Sequence, residues 1–116
     1  MAIRIYHNPR CSKSRATLAL LNQHGIKPEI IDYQNTPPSP AQILKLAEML
    51  GISPAALVRS RDADKAGIAE ELAGADDAAV AELLSANPAV IERPIVVKDD
   101  NRAVIGRPPD QVLTLL

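Results

Sequence analysis

Ala2-Ile3-Arg4-Ile5-Tyr6-His7-Asn8-Pro9-Arg10-Cys11-Ser12-Lys13-Ser14-Arg15 is the stretch that decides the fold. Ile3 and Ile5 alternate with Arg4, the period of a strand, and the pattern changes at Ser12, where a helix running to about His24 begins. Leu18 and Leu21 share a face of that helix, and Gly25 stops it. Glu29 to Tyr33 reads as a second strand. A helix between two strands implies that they lie parallel and are joined by a right-handed crossover. The opening third is therefore a βαβ unit, and Cys11, the sole cysteine, stands at its strand-to-helix turn.

That position predicts a chemical site. Unpaired N–H groups and aligned peptide dipoles at a helix N-terminus favour negative charge, hence thiolate over thiol. Arg10, Lys13 and Arg15 lie close by in sequence and push the same way. A free thiol titrates near pKa ~8.5 and falls by several units in such surroundings, and the thiolate is the reactive form. The neighbours each have two readings. His7 favours the thiolate through a hydrogen bond near Cys11, or caps the strand end. Ser14, one turn along the same face, donates to the sulfur or faces solvent. Arg15 holds the loop through backbone carbonyls or contacts substrate, while Asn8 orders the loop by bonding its own backbone. His24 reads as a helix C-terminal residue with no chemical part.

Composition narrows the class. A chain of 116 residues is one domain with room for a single core, and with 47% apolar residues but no Trp or Phe that core is aliphatic. A net charge of −1 speaks against a general nucleic-acid binder. One cysteine excludes an internal disulfide, no apolar run reaches membrane-spanning length, and the first residues carry no secretory pattern. A reducing cytoplasm and a monomer are the expectations. His7, His24 and Cys11 lack ligand spacing, so no metal site is expected.

Beyond the second strand, the proline-rich Asn35 to Pro40 ends in a helix start, Ser39-Pro40-Ala41-Gln42, where Ser39 caps and Gln42 reaches back. Ile43, Leu46, Ala47 and Leu50 then repeat at helical spacing before Gly51. Ser53-Pro54 opens a short helix ending near Arg59, and Arg59 to Gly74 reads as polar, irregular surface. Asp77 to Ala86 is helical, with Val80, Leu83 and Leu84 on one side, and Asn87-Pro88 breaks it. The period then shifts. Ile95-Val96-Val97, the turn Asp99-Asp100-Asn101 and Ala103-Val104-Ile105 form an antiparallel hairpin, and a last helix runs from about Pro108 to Leu116. The order βαβ, helices, ββα is that of an α/β, thioredoxin-like fold with a mixed sheet. Its helical insertion spans roughly 39–88 of a single domain over 1–116.

His7-x3-Cys11-x3-Arg15, Tyr33-x3-Pro37-Pro38, Leu57-Val58-Arg59, Glu92-Arg93-Pro94-Ile95-Val96-Val97 and Gly106-Arg107-Pro108-Pro109 occur in that order, and together the chain resembles the glutaredoxin-coupled arsenate reductases of the ArsC type nearly end to end. The resemblance implies that Cys11 is the nucleophile and that Arg59, Arg93 and Arg107 surround the oxyanion, with Arg61 the alternative to Arg59. It also implies that Pro94 is cis and faces the cysteine. No bound cofactor is implied; glutathione followed by glutaredoxin supplies the reducing thiols. The residue types suit the task, since arginine binds oxyanions through a planar, permanently charged fork.

Two features depart from the pattern. Ser12 follows the nucleophile where the well-studied arsenate reductases have Gly, and Arg10 and Lys13 are additional cations. Branches with these features act on another oxyanion or on glutathionylated thiols in an alternative reading. Regulators of the Spx type share the fold and bind RNA polymerase, often through a C-x-x-C switch. Here the fourth position is Ser14, so that disulfide cannot form.

Overall fold

The computed structural model describes residues 2–116, which fall into two compact units: residues up to Thr36 together with Arg93–Leu116, and Pro37–Glu92.

The first unit is an α/β sheet unit of thioredoxin-like order. Its strands are β1 (Ile3–Tyr6), β2 (Glu29–Ile31), β3 (Ile95–Lys98) and β4 (Arg102–Ile105), in the order β2-β1-β3-β4. β1 runs parallel to β2 with Ile5 beside Ile30, and antiparallel to β3 with Ile5 beside Val96. β3 and β4 form the expected hairpin, pairing Val96 with Val104, and the turn is built on Asp99 and Asp100, both at positive φ. Helix α1 (Ser12–Gln23) connects β1 to β2 and ends at His24 with Gly25 at φ 75°. A cluster of Ile3, Ile5, Leu21, Val96, Val112 and Leu115 fills the core, with Leu18 and Val104 packed against it.

Two expectations are corrected in this unit. The second strand ends at Ile31, not Tyr33, because the Asp32 carbonyl accepts from the Asn35 and Thr36 N–H groups and its carboxylate from the Asn35 amide, turning the chain away from the sheet. The final segment, Pro109–Leu115, is a 3-10 helix. Its two buried residues, Val112 and Leu115, are three apart, which superimposes them at three residues per turn.

The second unit is helical: α2 (Pro40–Leu50), α3 (Ser60–Ala66), α4 (Ala69–Ala73) and α5 (Asp77–Ala86), with 3-10 turns at Pro54–Leu57 and Pro88–Val90. α2 begins in the expected capping box. Ser39 Oγ accepts from the Gln42 N–H at 3.2 Å, and Gln42 Oε1 accepts from the Ser39 N–H at 2.8 Å. α2 packs on α5, burying Ile43, Leu46 and Ala47 from the first and Val80, Ala81 and Leu84 from the second. The segment after Ser53 is a 3-10 turn closed by Leu57, which is fully buried. The stretch expected to be irregular holds α3 and α4 instead, separated by Gly67 at φ 74°. Ala63 and Ile68 are its only buried hydrophobic residues, so no helical apolar period shows in the sequence.

Candidate active site

Cys11 sits at the N-cap of α1 in extended backbone, half-buried. Pro9 precedes it in a turn closed by the Cys11 N–H to the Asn8 carbonyl, 3.0 Å, and the Arg15 N–H bonds the Cys11 carbonyl. The sulfur closes no capping hydrogen bond of ordinary geometry, yet the N–H groups of Ser14 and Lys13 act on it. Burial alone would raise the thiol pKa. The Ser14 and Lys13 N–H groups outweigh that, joined by the charges of Arg107 and Arg93, and the net result is a lowered pKa. The sequence expectation of a helix-terminus thiolate thus has its physical causes in place, with one difference: the arginines that matter come from the other end of the chain.

Arg107 Nη2 lies 3.4 Å from Cys11 Sγ, while Arg107 Nε donates to the Arg93 carbonyl at 2.7 Å. One guanidinium therefore holds the sulfur and the chain entering β3 together. The Arg93-Pro94 and Arg107-Pro108 peptides are both cis. Gly106 accounts for the closeness of these segments. A Cβ there would overlap Thr17 of α1 and come within 2.8 Å of Pro94 Cγ, so only a bare backbone passes between them. The Gly106 N–H also bonds the Pro94 carbonyl at 2.9 Å. Gly106 belongs to a motif of the sequence, but its close passage against Thr17 does not show there, because nothing local marks a contact across that much chain.

The loop before Cys11 is knitted by Ser14. Its hydroxyl shares a 2.6 Å hydrogen bond with His7 Nδ1 and accepts from the Asn8 N–H at 3.0 Å. These contacts orient the hydroxyl toward His7 and Asn8; the help given to the sulfur comes from the Ser14 backbone. His7 is buried, and that burial lowers its pKa; Asp32 opposes and Arg15 adds to the shift. Asn8 Oδ1 accepts from the Arg10 N–H at 3.0 Å, the self-ordering expected of it. Arg15 Nη1 donates to the Pro9 carbonyl at 2.9 Å, its loop-holding reading. His24 Nδ1 meets the Leu20 carbonyl at the helix end.

Arg59 belongs to the helical unit. Its Nε and Nη1 pair with Asp62 at 2.8 Å and Glu92 at 3.0 Å, and its N–H bonds the Val90 carbonyl. Burial works against its charge, while the hydrogen bonds to Asp62 and Glu92 more than restore it. Glu92 opens the motif that leads into β3, whereas Asp62 lies outside the quoted motifs although its i+3 spacing from Arg59 is a readable pair. Arg61 is exposed on the same helix. No group of residues able to hold a metal ion is present among the described residues, and no helix there is long and apolar enough to cross a membrane.

The arrangement presents a half-buried thiol of lowered pKa, helix N–H donors and at least one guanidinium at one place, suited to attack on an electrophile carried by an oxyanion. Residues 6–115 match the ArsC family. The chain is 40% identical to an arsenate reductase of Haemophilus influenzae over 117 residues, covering all of both chains. It is 42% identical over 118 residues to YfgD of Escherichia coli K12, an uncharacterized protein, covering 98% of this chain and 96% of that one. Among solved structures, an arsenate reductase from Vibrio cholerae superimposes with a TM-score of 0.92 at 41% identity, covering 100% of this chain and 98% of that one.

Proposed function

This chain belongs to the ArsC family, and on that premise we propose that it reduces arsenate to arsenite through Cys11, with glutathione and glutaredoxin as the external reductants. The observation that carries the reading is the 3.4 Å contact of Arg107 Nη2 with Cys11 Sγ at the N-terminus of α1. A cation that stabilises the thiolate is already in place to bind the oxyanion the thiolate attacks.

The Cys11 sulfur attacks arsenic, an As–O bond breaks, and oxygen leaves as hydroxide or water after protonation. The product is a Cys11 thiolate ester of arsenic in its original oxidation state. Arg107 and Arg93 stabilise the oxygens as charge redistributes, supported by the Ser14 and Lys13 N–H groups. Reduction needs two electrons, which thiols give by forming a disulfide. Cys11 is the only cysteine, so the completing thiols come from outside the chain. The family resemblance adds Arg59 as a third oxyanion arginine. The reaction is that of a monomer in the cytoplasm, without a bound cofactor. Ser12, Arg10 and Lys13 keep a second reading in play: the same cysteine chemistry directed at another oxyanion or at a glutathionylated thiol.

The test is arsenate-dependent NADPH oxidation coupled through glutathione reductase, glutathione and glutaredoxin, with wild type and Cys11→Ser compared. Turnover that requires arsenate, glutaredoxin and Cys11 is the expected result. Absence of turnover in a protein whose Cys11 still alkylates rapidly at neutral pH overturns arsenate as the substrate and favours the second reading.

A further inference from the structure

Three residues of α1 are buried, Ser14, Thr17 and Leu21, and their spacing puts them on one face of the helix. Leu21 belongs to the core, and the Ser14 hydroxyl is engaged by His7 and Asn8. Thr17 is fully buried as well, where a Val of the same shape would bring no polar atom to satisfy. The use of its hydroxyl follows from where the oxygen sits. Thr17 Oγ1 donates to the Lys13 carbonyl at 2.8 Å and lies 3.4 Å from the Gly106 carbonyl oxygen. It also stands in the space that a Cβ at Gly106 would need, a point 3.1 Å from Thr17 Cγ2 and 2.8 Å from Pro94 Cγ. The Gly106 backbone therefore meets α1 at this side chain. Oxygen is smaller than a methyl group, so in a close-packed interior a Val at this position would hold that backbone farther off.

The segment that Thr17 meets leads directly to the reactive sulfur. The Gly106 N–H bonds the Pro94 carbonyl at 2.9 Å, and the next residue, Arg107, places Nε 2.7 Å from the Arg93 carbonyl and Nη2 3.4 Å from Cys11 Sγ. We propose that Thr17 is a positioning residue for the reactive cysteine: its hydroxyl sets how closely Gly106 approaches α1 and so holds the Arg107 guanidinium at the Cys11 sulfur. This rests on the activated-cysteine reading of the site and is independent of which electrophile the thiolate attacks. A guanidinium moved away from the sulfur loses hydrogen-bond geometry steeply and charge attraction with distance. The 3.4 Å contact therefore tolerates little displacement of the Gly106 backbone. Thr17 acts on the sulfur only through Arg107, not by contact.

Thr17→Val keeps the shape of the side chain and replaces the oxygen by a methyl group, whereas Thr17→Ser keeps the oxygen and removes the methyl group. The experiment follows iodoacetamide modification of Cys11 across pH in wild type, in both variants, in Arg107→Ala, and in Thr17→Val combined with Arg107→Ala. Thr17→Val is expected to raise the midpoint by about a third or more of the shift that Arg107→Ala gives. Thr17→Ser is expected to keep the wild-type midpoint, and Thr17→Val to add nothing once Arg107 is gone. An unmoved midpoint in Thr17→Val overturns the proposal, even where the melting temperature falls, because the hydroxyl is then a structural group. An equal shift with and without Arg107 overturns it too, by tracing the effect to the Lys13 turn of α1. So does a midpoint in Thr17→Ser as high as in Thr17→Val, which assigns the spacing to the methyl group. If Arg107→Ala itself leaves the midpoint unmoved, the cysteine loses its cation and this assignment falls with that reading. No oxyanion enters the experiment, so its outcome is separate from the arsenate turnover test.

Discussion

Cys11 shows how far single residues can be read. Its helix-terminus setting was legible because an N-cap, an N-terminal dipole and a thiol are all local properties of seven or eight consecutive residues. Arg107 as a cation in contact with it was legible only through the resemblance, since no local rule links residues joined across the whole chain. Ser14 was read with two options, and its hydroxyl serves His7 and Asn8. At this scale the fork of Arg93 is testable. Arg93→Lys keeps the charge and loses bidentate geometry, so turnover is expected to drop by an amount equivalent to about 2 to 4 kcal/mol of transition-state stabilisation. Unchanged turnover would return Arg93 to a role in loop structure. The lowered thiol pKa also links Cys11 to folding. The unfolded chain binds the thiol proton more tightly, so stability rises with pH between the folded and unfolded pKa values. The contribution is complete above about pH 8.5 and lost as pH falls through the folded value. Cys11→Ser is expected to remove that part of the pH dependence in urea titrations, and an identical pH dependence would contradict the lowered pKa.

Elements with one strong signal were read well and those defined by contacts were not. α2 announces itself by Ser39, Pro40 and Gln42, and the capping box is formed as expected. Ser39→Ala is expected to destabilise the helical unit by about 1 kcal/mol in chemical denaturation. A change near zero would mean that solvent caps the helix equally well. α3 and α4 escaped because a short helix with one buried residue, as in α3, or none, as in α4, has no period to detect. β2 was read two residues too long because Asp32 and Tyr33 look like strand residues until the Asp32 carboxylate takes the Asn35 amide. In the last segment the spacing of Val112 and Leu115 is compatible with either helix type, and only packing chooses the tighter one.

For the molecule as a whole, the order of elements was enough for an α/β, thioredoxin-like fold, because hydrophobic period and turn chemistry agree in nearly every segment. The helical insertion read at roughly 39–88 compares with a compact helical unit over Pro37–Glu92, and the few residues of difference at each end lie in proline-containing connections that carry no hydrophobic period. That division places Arg59 in one unit and Cys11, Arg93 and Arg107 in the other. Arg59→Ala therefore asks whether the helical unit contributes to chemistry. Arsenate turnover is expected to fall about tenfold or more while Cys11 alkylation keeps its wild-type pH profile. Undiminished turnover would leave Arg59 as the ion-pair partner of Asp62 and Glu92 alone. Every step of the proposed reaction depends on Cys11 being a thiolate near neutral pH, and the most direct measurement is the rate of its alkylation by iodoacetamide from acid to alkaline pH. The expected curve has its midpoint well below the ordinary thiol value of about 8.5 and moves upward in Arg107→Ala. A wild-type midpoint at or above that value, unmoved by Arg107→Ala, would contradict the activated nucleophile and the function built on it.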